Sequence, residues 1–372
     1  MSDIEDLLYG EHEILWIPGP TEIEPEIRAA LARPTIGHRS QACKDLMLRC
    51  RERLAPVFGT TQHVLFESVP ATALWEAAIR NLVPRRSLHV HCGAFSERWA
   101  KVARACGREA DELSVPWGQA NRPDTLRTKL QEQALAGQPY DAVCLIHNET
   151  ATGVTNPLRE LVGVVREHPE TLVLVDAVTS FAGLPLDFDE LGIDLAFASA
   201  QKCLALPGGF TVYAVSERAL ARAARVEGRG WLLDFVRAEE GLRTGESVAT
   251  PSIPHLYALE LQLDRIEAEG LAARFERHRA MAERTRAWAK DHGLSMFAEA
   301  GFESDTTSCI AAGTIDVAWL VKELRARGKF ISNGYGKLKG QTFRIGHMGD
   351  HNMGRLEELL SDMDAVLGKR AH

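Results

Sequence analysis

One feature constrains this chain more than any other: short apolar runs rich in Val, Leu and Ile recur between Val64 and Val215, with helical periodicity between them. The candidate strands are Val64 to Phe66, Leu88 to His91, Ala142 to Ile146, Leu172 to Val175, Leu195 to Ala198 and Thr211 to Val215. Between them Ala73, Leu74, Ala77, Ala78 and Leu82, and later Leu158, Leu161, Val164 and Val165, repeat at the spacing of one helix face. Strands that are apolar throughout, alternating with helices, specify a mainly parallel sheet covered on both faces. The expected architecture is therefore α/β, with a large domain over residues 20–260. After Pro254 the pattern changes. A long helix is expected from about His255, carrying Leu256, Leu259, Leu261 and Ile266, then a charged helix from Leu271 to His292, then a shorter α+β stretch closing with a helix from Met353 to Leu367. Residues 1–19 and 261–372 are assigned to a smaller domain with an N-terminal arm.

Composition narrows the function. The 372 residues are 45% hydrophobic and 25% charged, which is globular usage and excludes a disordered chain. Lys plus Arg number 43 against 51 Asp plus Glu, a net charge of −8, so the chain as a whole has no attraction for nucleic acid or anionic membranes. Its apolar runs fall far short of the roughly 18 to 20 residues that cross a bilayer. The opening Met1-Ser2-Asp3-Ile4-Glu5-Asp6 is acidic and lacks the basic region and apolar stretch of a secretory signal. Seven cysteines, at 43, 50, 92, 106, 144, 203 and 309, form no Cys-x-x-Cys pair, as expected of reduced thiols in a cytoplasm. No Gly-x-Gly-x-x-Gly or Walker loop follows a strand. His347 and His351 are four apart, but Gly349 and Asp350 between them suggest a loop and no third ligand is evident, so no metal site is expected.

The chemistry concentrates at two strand ends. Leu172-Val173-Leu174-Val175-Asp176-Ala177-Val178 and Leu195-Ala196-Phe197-Ala198-Ser199-Ala200-Gln201-Lys202 each run from a buried strand into a residue that can carry charge. Ligands of open α/β sheets collect at the carboxyl ends of strands, and the separation of 202 − 176 = 26 residues is about one crossover unit. A carboxylate there can keep a pyridine ring protonated, and a partly desolvated lysine can condense with an aldehyde. Taken singly, Asp176 also reads as a helix N-cap and Lys202 as a surface lysine.

Taken jointly with Phe343-Arg344-Ile345-Gly346, these strings resemble the class V, fold type I aminotransferases that depend on pyridoxal phosphate, in the alanine–glyoxylate or serine–pyruvate branch. The resemblance runs from Pro18-Gly19-Pro20 to Arg344 and beyond. It implies that Lys202 is the Schiff-base lysine and proton shuttle, that Asp176 pairs with the ring nitrogen, that Val178 packs on the ring with Gln201 nearby, and that Phe95 stacks on it. In His147-Asn148-Glu149-Thr150-Ala151-Thr152-Gly153, it implies a hydrogen bond from Thr152, while Ala151 stands where relatives often carry a hydroxyl. The phosphate is expected at the helix start in Ser68-Val69-Pro70-Ala71-Thr72. Pro70 has no N–H, so Ala71 and Thr72 carry more of that site. Thr250 is implied to reach the phosphate of a neighbouring subunit, which makes the expected assembly a homodimer. Arg344 is the implied anchor of the substrate carboxylate. His38-Arg39-Ser40 borders the implied substrate mouth, and the glycines of Asn333 to Gly340 read equally as a mobile lid or a turn. Transamination from alanine or serine to glyoxylate or pyruvate is the leading expectation and phosphoserine transamination the alternative. Cysteine desulfuration would need a nucleophile such as Cys309 on a mobile loop.

Overall fold

The computed structural model describes residues 10–368. The opening acidic hexad and residues 7–9 and 369–372 lie outside the described residues. The central feature is a seven-stranded sheet: β1 (His63–Glu67), β2 (Arg86–His91), β3 (Glu109–Ser114), β4 (Ala142–Ile146), β5 (Leu172–Asp176), β6 (Leu195–Ser199) and β7 (Thr211–Val215), in the spatial order β1-β7-β6-β5-β4-β2-β3. All neighbours are parallel except β7, which runs antiparallel to both β1 and β6. Every residue of β4, β5, β6 and β7 is buried, which is why these strands read as unbroken apolar runs. At roughly 1.5–3 kcal/mol for each fully buried large aliphatic side chain, Leu172 to Val175 alone make a large contribution to folding.

The sequence pattern does not reveal β3. Its segment, Glu-Ala-Asp-Glu-Leu-Ser, lies at the sheet edge with Glu109 and Glu112 exposed and Asp111 half-buried in its pair with Arg86. A charged edge strand avoids pairing with other chains, and those same charges hide it from a hydrophobic pattern.

Helices α1 (Ala71–Leu82) and α2 (Ala94–Ala105) follow β1 and β2, and bury Leu74, Trp75, Ala78 and Leu82, and Trp99 and Ala103, respectively. The long helix α3 (Ile253–Glu269) accommodates Pro254 in its first turn, where the missing N–H costs no intrahelical bond. Helix α4 (Leu271–Asp291) leads to a second core around Trp16, Trp288, Ile310, Leu320, Phe343, Leu359 and Met363. That core holds a three-stranded antiparallel sheet, β8 (Thr307–Ala311), β9 (Ser332–Asn333) and β10 (Thr342–Gly346), in the order β8-β10-β9, with the closing helix α5 (Met353–Gly368). Among the described residues no helix is long and apolar enough to cross a membrane.

Candidate active site

The carboxyl ends of β4, β5 and β6 open onto a cleft of about 160 Å³. Its lining includes Pro70, Ala71, Thr72, Trp75, Phe95, Arg98, Thr150, Asp176, Val178, Gln201 and Lys202. Asp176 is the last residue of β5, and Lys202 lies just past the end of β6; the strands pair in parallel with Asp176 opposite Phe197. A larger groove of about 700 Å³ runs along the edge strand β1, where Arg51 pairs with Glu239 and His63 Nε2 lies 2.8 Å from Glu217.

Asp176 is buried and fixed from two sides. The Val178 N–H donates to its Oδ1 at 2.8 Å, and the Trp75 indole N–H donates to its Oδ2 at 2.7 Å. Burial, the dominant influence, pushes its pKa up to about 7 despite those donors. Lys202 is half-buried, and burial, with the Arg344 charge adding to it, lowers its pKa to about 8. Its Nζ donates to the Pro18 carbonyl. Gly19 lies directly over this side chain: a Cβ there would stand 2.3 Å from Nζ, and its φ of +107° belongs to the region that favours glycine. The Pro18-Gly19-Pro20 turn is thus a roof on Lys202.

The remaining positions singled out in the sequence divide. Val178, Gln201 and Phe95 line the cleft, and Ser199 Oγ donates to Gln201 Oε1 at 2.6 Å. Phe95 stacks on Tyr335 with ring centroids 5.0 Å apart. Thr152 is fully buried, outside the cleft lining, and it is Thr150 that lines the wall. The Thr150 carbonyl accepts from Arg344 Nη1 at 3.2 Å, while Nε and Nη2 reach the Asn333 carbonyl at 3.3 Å. At the start of α1, the N–H groups of Ala71 and Thr72 have no protein partner among the described residues, whereas Ala73 N–H donates to the Pro70 carbonyl. Thr250 is exposed beside a second pocket, lined also by Ser68, Val69 and Leu232, and Ser252 N–H donates to Ser68 Oγ at 2.9 Å. Arg39 is exposed.

Three contributors escape sequence reading. Trp75 donates to Asp176. Glu149, fully buried, accepts from Ser96 N–H at 3.0 Å, Ser96 Oγ at 2.8 Å and Ala151 N–H at 3.1 Å, closing the start of α2; burial raises its pKa and these donors oppose the rise. Arg98 donates to the Tyr335 hydroxyl at 2.5 Å and ties the Asn333 to Gly340 loop to α2. A capping acid can be sought upstream of a helix that starts without Ser, Thr or Asp, but Glu149 lies 53 residues beyond Ser96 in the chain.

Cys309 does not fit a mobile nucleophile. It is buried in β8, bonds to the Ala151 carbonyl at 3.7 Å, and burial pushes its thiol up to about 11. His347 and His351 are structural: one bonds Ser308 Oγ at 2.9 Å, and the other stacks on Trp16 with centroids 3.9 Å apart.

The chain is similar to known proteins over nearly its whole length. The model of the family described as aminotransferase class-V matches residues 24–335. The chain is 34% identical over 358 residues to a serine–glyoxylate aminotransferase of Methylorubrum extorquens, covering 91% of this chain and 87% of that protein. It is 31% identical over 344 residues to an L-aspartate–glyoxylate aminotransferase of Paracoccus denitrificans, covering 90% and 86%. The fold matches the crystal structure of an alanine–glyoxylate aminotransferase from Nostoc sp. with a TM-score of 0.89 and 29% identity, over 96% of this chain and 95% of the other.

Proposed function

The chain belongs to the class V aminotransferases, fold type I enzymes that use pyridoxal phosphate, and from that premise we propose that it moves an amino group between a small amino acid, alanine or serine, and a 2-oxo acid, glyoxylate or pyruvate. The observation that carries this is the pairing of a depressed lysine with a buried carboxylate at adjacent strand ends of one cleft. The donor set suits the cofactor at each end: the unpartnered N–H groups of Ala71 and Thr72 for a phosphate, Asp176 for a protonated ring nitrogen, Phe95 for an aromatic face.

Bound there, pyridoxal phosphate supplies an electrophilic carbon and a sink for electrons. The protein's part follows from its own residues. With its pKa lowered to about 8, Lys202 gives up its proton more readily than an ordinary lysine, which suits an amine that would hold the cofactor and take a proton from the substrate Cα. Asp176, aimed by Trp75 and Val178, accepts the ring N–H. Arg344 has no carboxylate within 4.0 Å among the described residues, and in this reading it would turn its planar fork from the Thr150 and Asn333 carbonyls, which now accept its N–H groups, to the substrate carboxylate. Gly19 and Pro18 shield Lys202 from water. We assign the phosphate end to two copies of the chain, with Thr250 of one reaching the other: Thr250, Trp231 and Leu232 are all exposed, the last two at 58% and 42%. Seven free cysteines support a cytoplasmic location.

The test is an absorbance titration of the purified protein. A visible band of bound cofactor is expected, lost when the true donor among alanine, serine and phosphoserine is added and restored by glyoxylate or pyruvate. Response to phosphoserine alone would select the alternative substrate. Absence of any band after adding pyridoxal phosphate would defeat the proposal.

A further inference from the structure

Trp75 neither reacts nor touches substrate in the roles given above, yet its indole N–H is aimed at Asp176. It is buried, with 4% exposure, and donates to Asp176 Oδ2 at 2.7 Å across 101 residues of chain. An indole nitrogen donates and never accepts, so this bond favours the ionised carboxylate over the neutral acid. The ring is held from below: Trp99 stacks on it with centroids 6.5 Å apart and donates its own N–H to the Trp75 carbonyl at 3.2 Å. Val178 N–H occupies Oδ1, so the two donors together leave Asp176 one orientation, with its free lone pairs toward the cleft.

The position of Trp75 in its helix adds a second consequence. Ala71 and Thr72 open α1 with unpartnered N–H groups, and Trp75 follows one turn later, at i+4 and i+3, on the same face. One rigid helical turn therefore carries the donors for an anion at one end of the cleft and the donor that sets the carboxylate at the other.

We propose that Trp75 is a positioning residue of the amino-transfer site: it holds Asp176 ionised and aimed at the ring nitrogen of pyridoxal phosphate, and it fixes the distance between that carboxylate and the phosphate-binding start of α1. This rests on the reading of Asp176 as the partner of the ring nitrogen. The charged groups facing Asp176 are Glu149, which opposes its ionisation, and Lys202, which favours it; His147, beside it at the end of β4, is held neutral by burial.

The experiment measures the dissociation constant of pyridoxal phosphate for the purified full chain, Trp75→Phe and Trp75→His, from pH 6 to pH 9, with the thermal midpoint of each apo-protein. Trp75→Phe is expected to bind about tenfold more weakly at pH 6, the loss of one hydrogen bond to a charged acceptor. That penalty is expected to shrink towards pH 9. There Asp176 is ionised before the cofactor arrives, so both bound and free protein lose the same bond. Trp75→His keeps a ring N–H and is expected to recover part of the affinity. A penalty equal at all pH values and shared by both variants would mean that Trp75 only fills space, and unchanged affinity in Trp75→Phe would overturn the inference outright. If Trp75→Phe fails to fold, Trp75→His decides by the same criterion, since a pH-independent loss there also overturns it. Asp176→Ala separates this inference from its premise: a loss in Asp176→Ala with none in Trp75→Phe removes only Trp75, whereas wild-type affinity in Asp176→Ala removes the ring-nitrogen pairing itself.

Discussion

Asp176 sits among buried donors that use both its oxygens, whereas Thr72, less than one helical turn from Trp75, is exposed and its N–H has no partner among the described residues. The ring end of the cleft is finished within one chain. The proposed phosphate end is open at the exposed Thr72, and Thr250 and Leu232 line a separate pocket that shares Ser68 and Val69 just before α1. The difference has a physical basis. A charge buried near the sheet needs fixed partners, because desolvation is costly; an anion at a helix start can share its solvation with water and a second copy.

The largest effect that sharpens this contrast is at Lys202. Lys202→Met is expected to lower turnover by about three orders of magnitude or more while raising the thermal midpoint of the apo-protein at pH 7. The sign follows from its depressed pKa. Below about 8 the folded chain bears the full cost of the charged amine; between 8 and the ordinary 10.5 the unfolded chain keeps a proton that the folded one has released, so that cost fades. Calorimetry from pH 7 to pH 10.5 should show the advantage of the variant disappearing. An apo-protein destabilised by Lys202→Met at pH 7 would break the comparison.

Next is the roof. Gly19→Ala puts a Cβ against Lys202 and strains a φ of +107°, and displacing the amine by about 1 Å is expected to cost up to roughly 100-fold in kcat. Steady-state kinetics with an unchanged cofactor affinity would locate the damage at Lys202. Arg344→Ala is expected to raise KM for the carboxylate substrate roughly 10- to 100-fold with a smaller change in kcat, measured by initial rates in both half-reactions. Smallest is the phosphate-end variant: Thr250→Ala is expected to weaken pyridoxal phosphate binding about 2- to 10-fold, read by cofactor titration. If Thr250→Ala has the full effect in a chain that sedimentation shows to be monomeric, the shared-site assignment fails.

Much of the architecture is legible in the chain. The fully buried strands β4 to β7 show themselves because burial on both faces leaves only apolar residues, and α3 and α5 because one apolar stripe must face a core. The charged edge strand β3 is not legible, since its partner on one side and solvent on the other impose no apolar pattern. Within the site, Asp176 and Lys202 stand out because each ends a buried run. Thr152 illustrates the limit: the motif that contains it directs attention to a hydroxyl, but the turn after β4 faces Thr150 toward the cleft and Thr152 into the protein.

By itself the sequence determines what local burial and backbone geometry dictate: an α/β fold, an acid at the end of one strand and an amine after the next, a helix start behind Pro70, and the order of these parts along the chain. Only the tertiary structure decides that Trp75 meets Asp176, that Glu149 closes the helix beginning at Ala94, that Gly19 covers Lys202 and that Arg98 holds Tyr335 across 237 residues. Periodicity reports which side of an element is buried, because that is a property of neighbours in sequence. Which polar groups then face each other depends on how separate elements pack, and a buried donor finds its acceptor only once that packing has removed water from both.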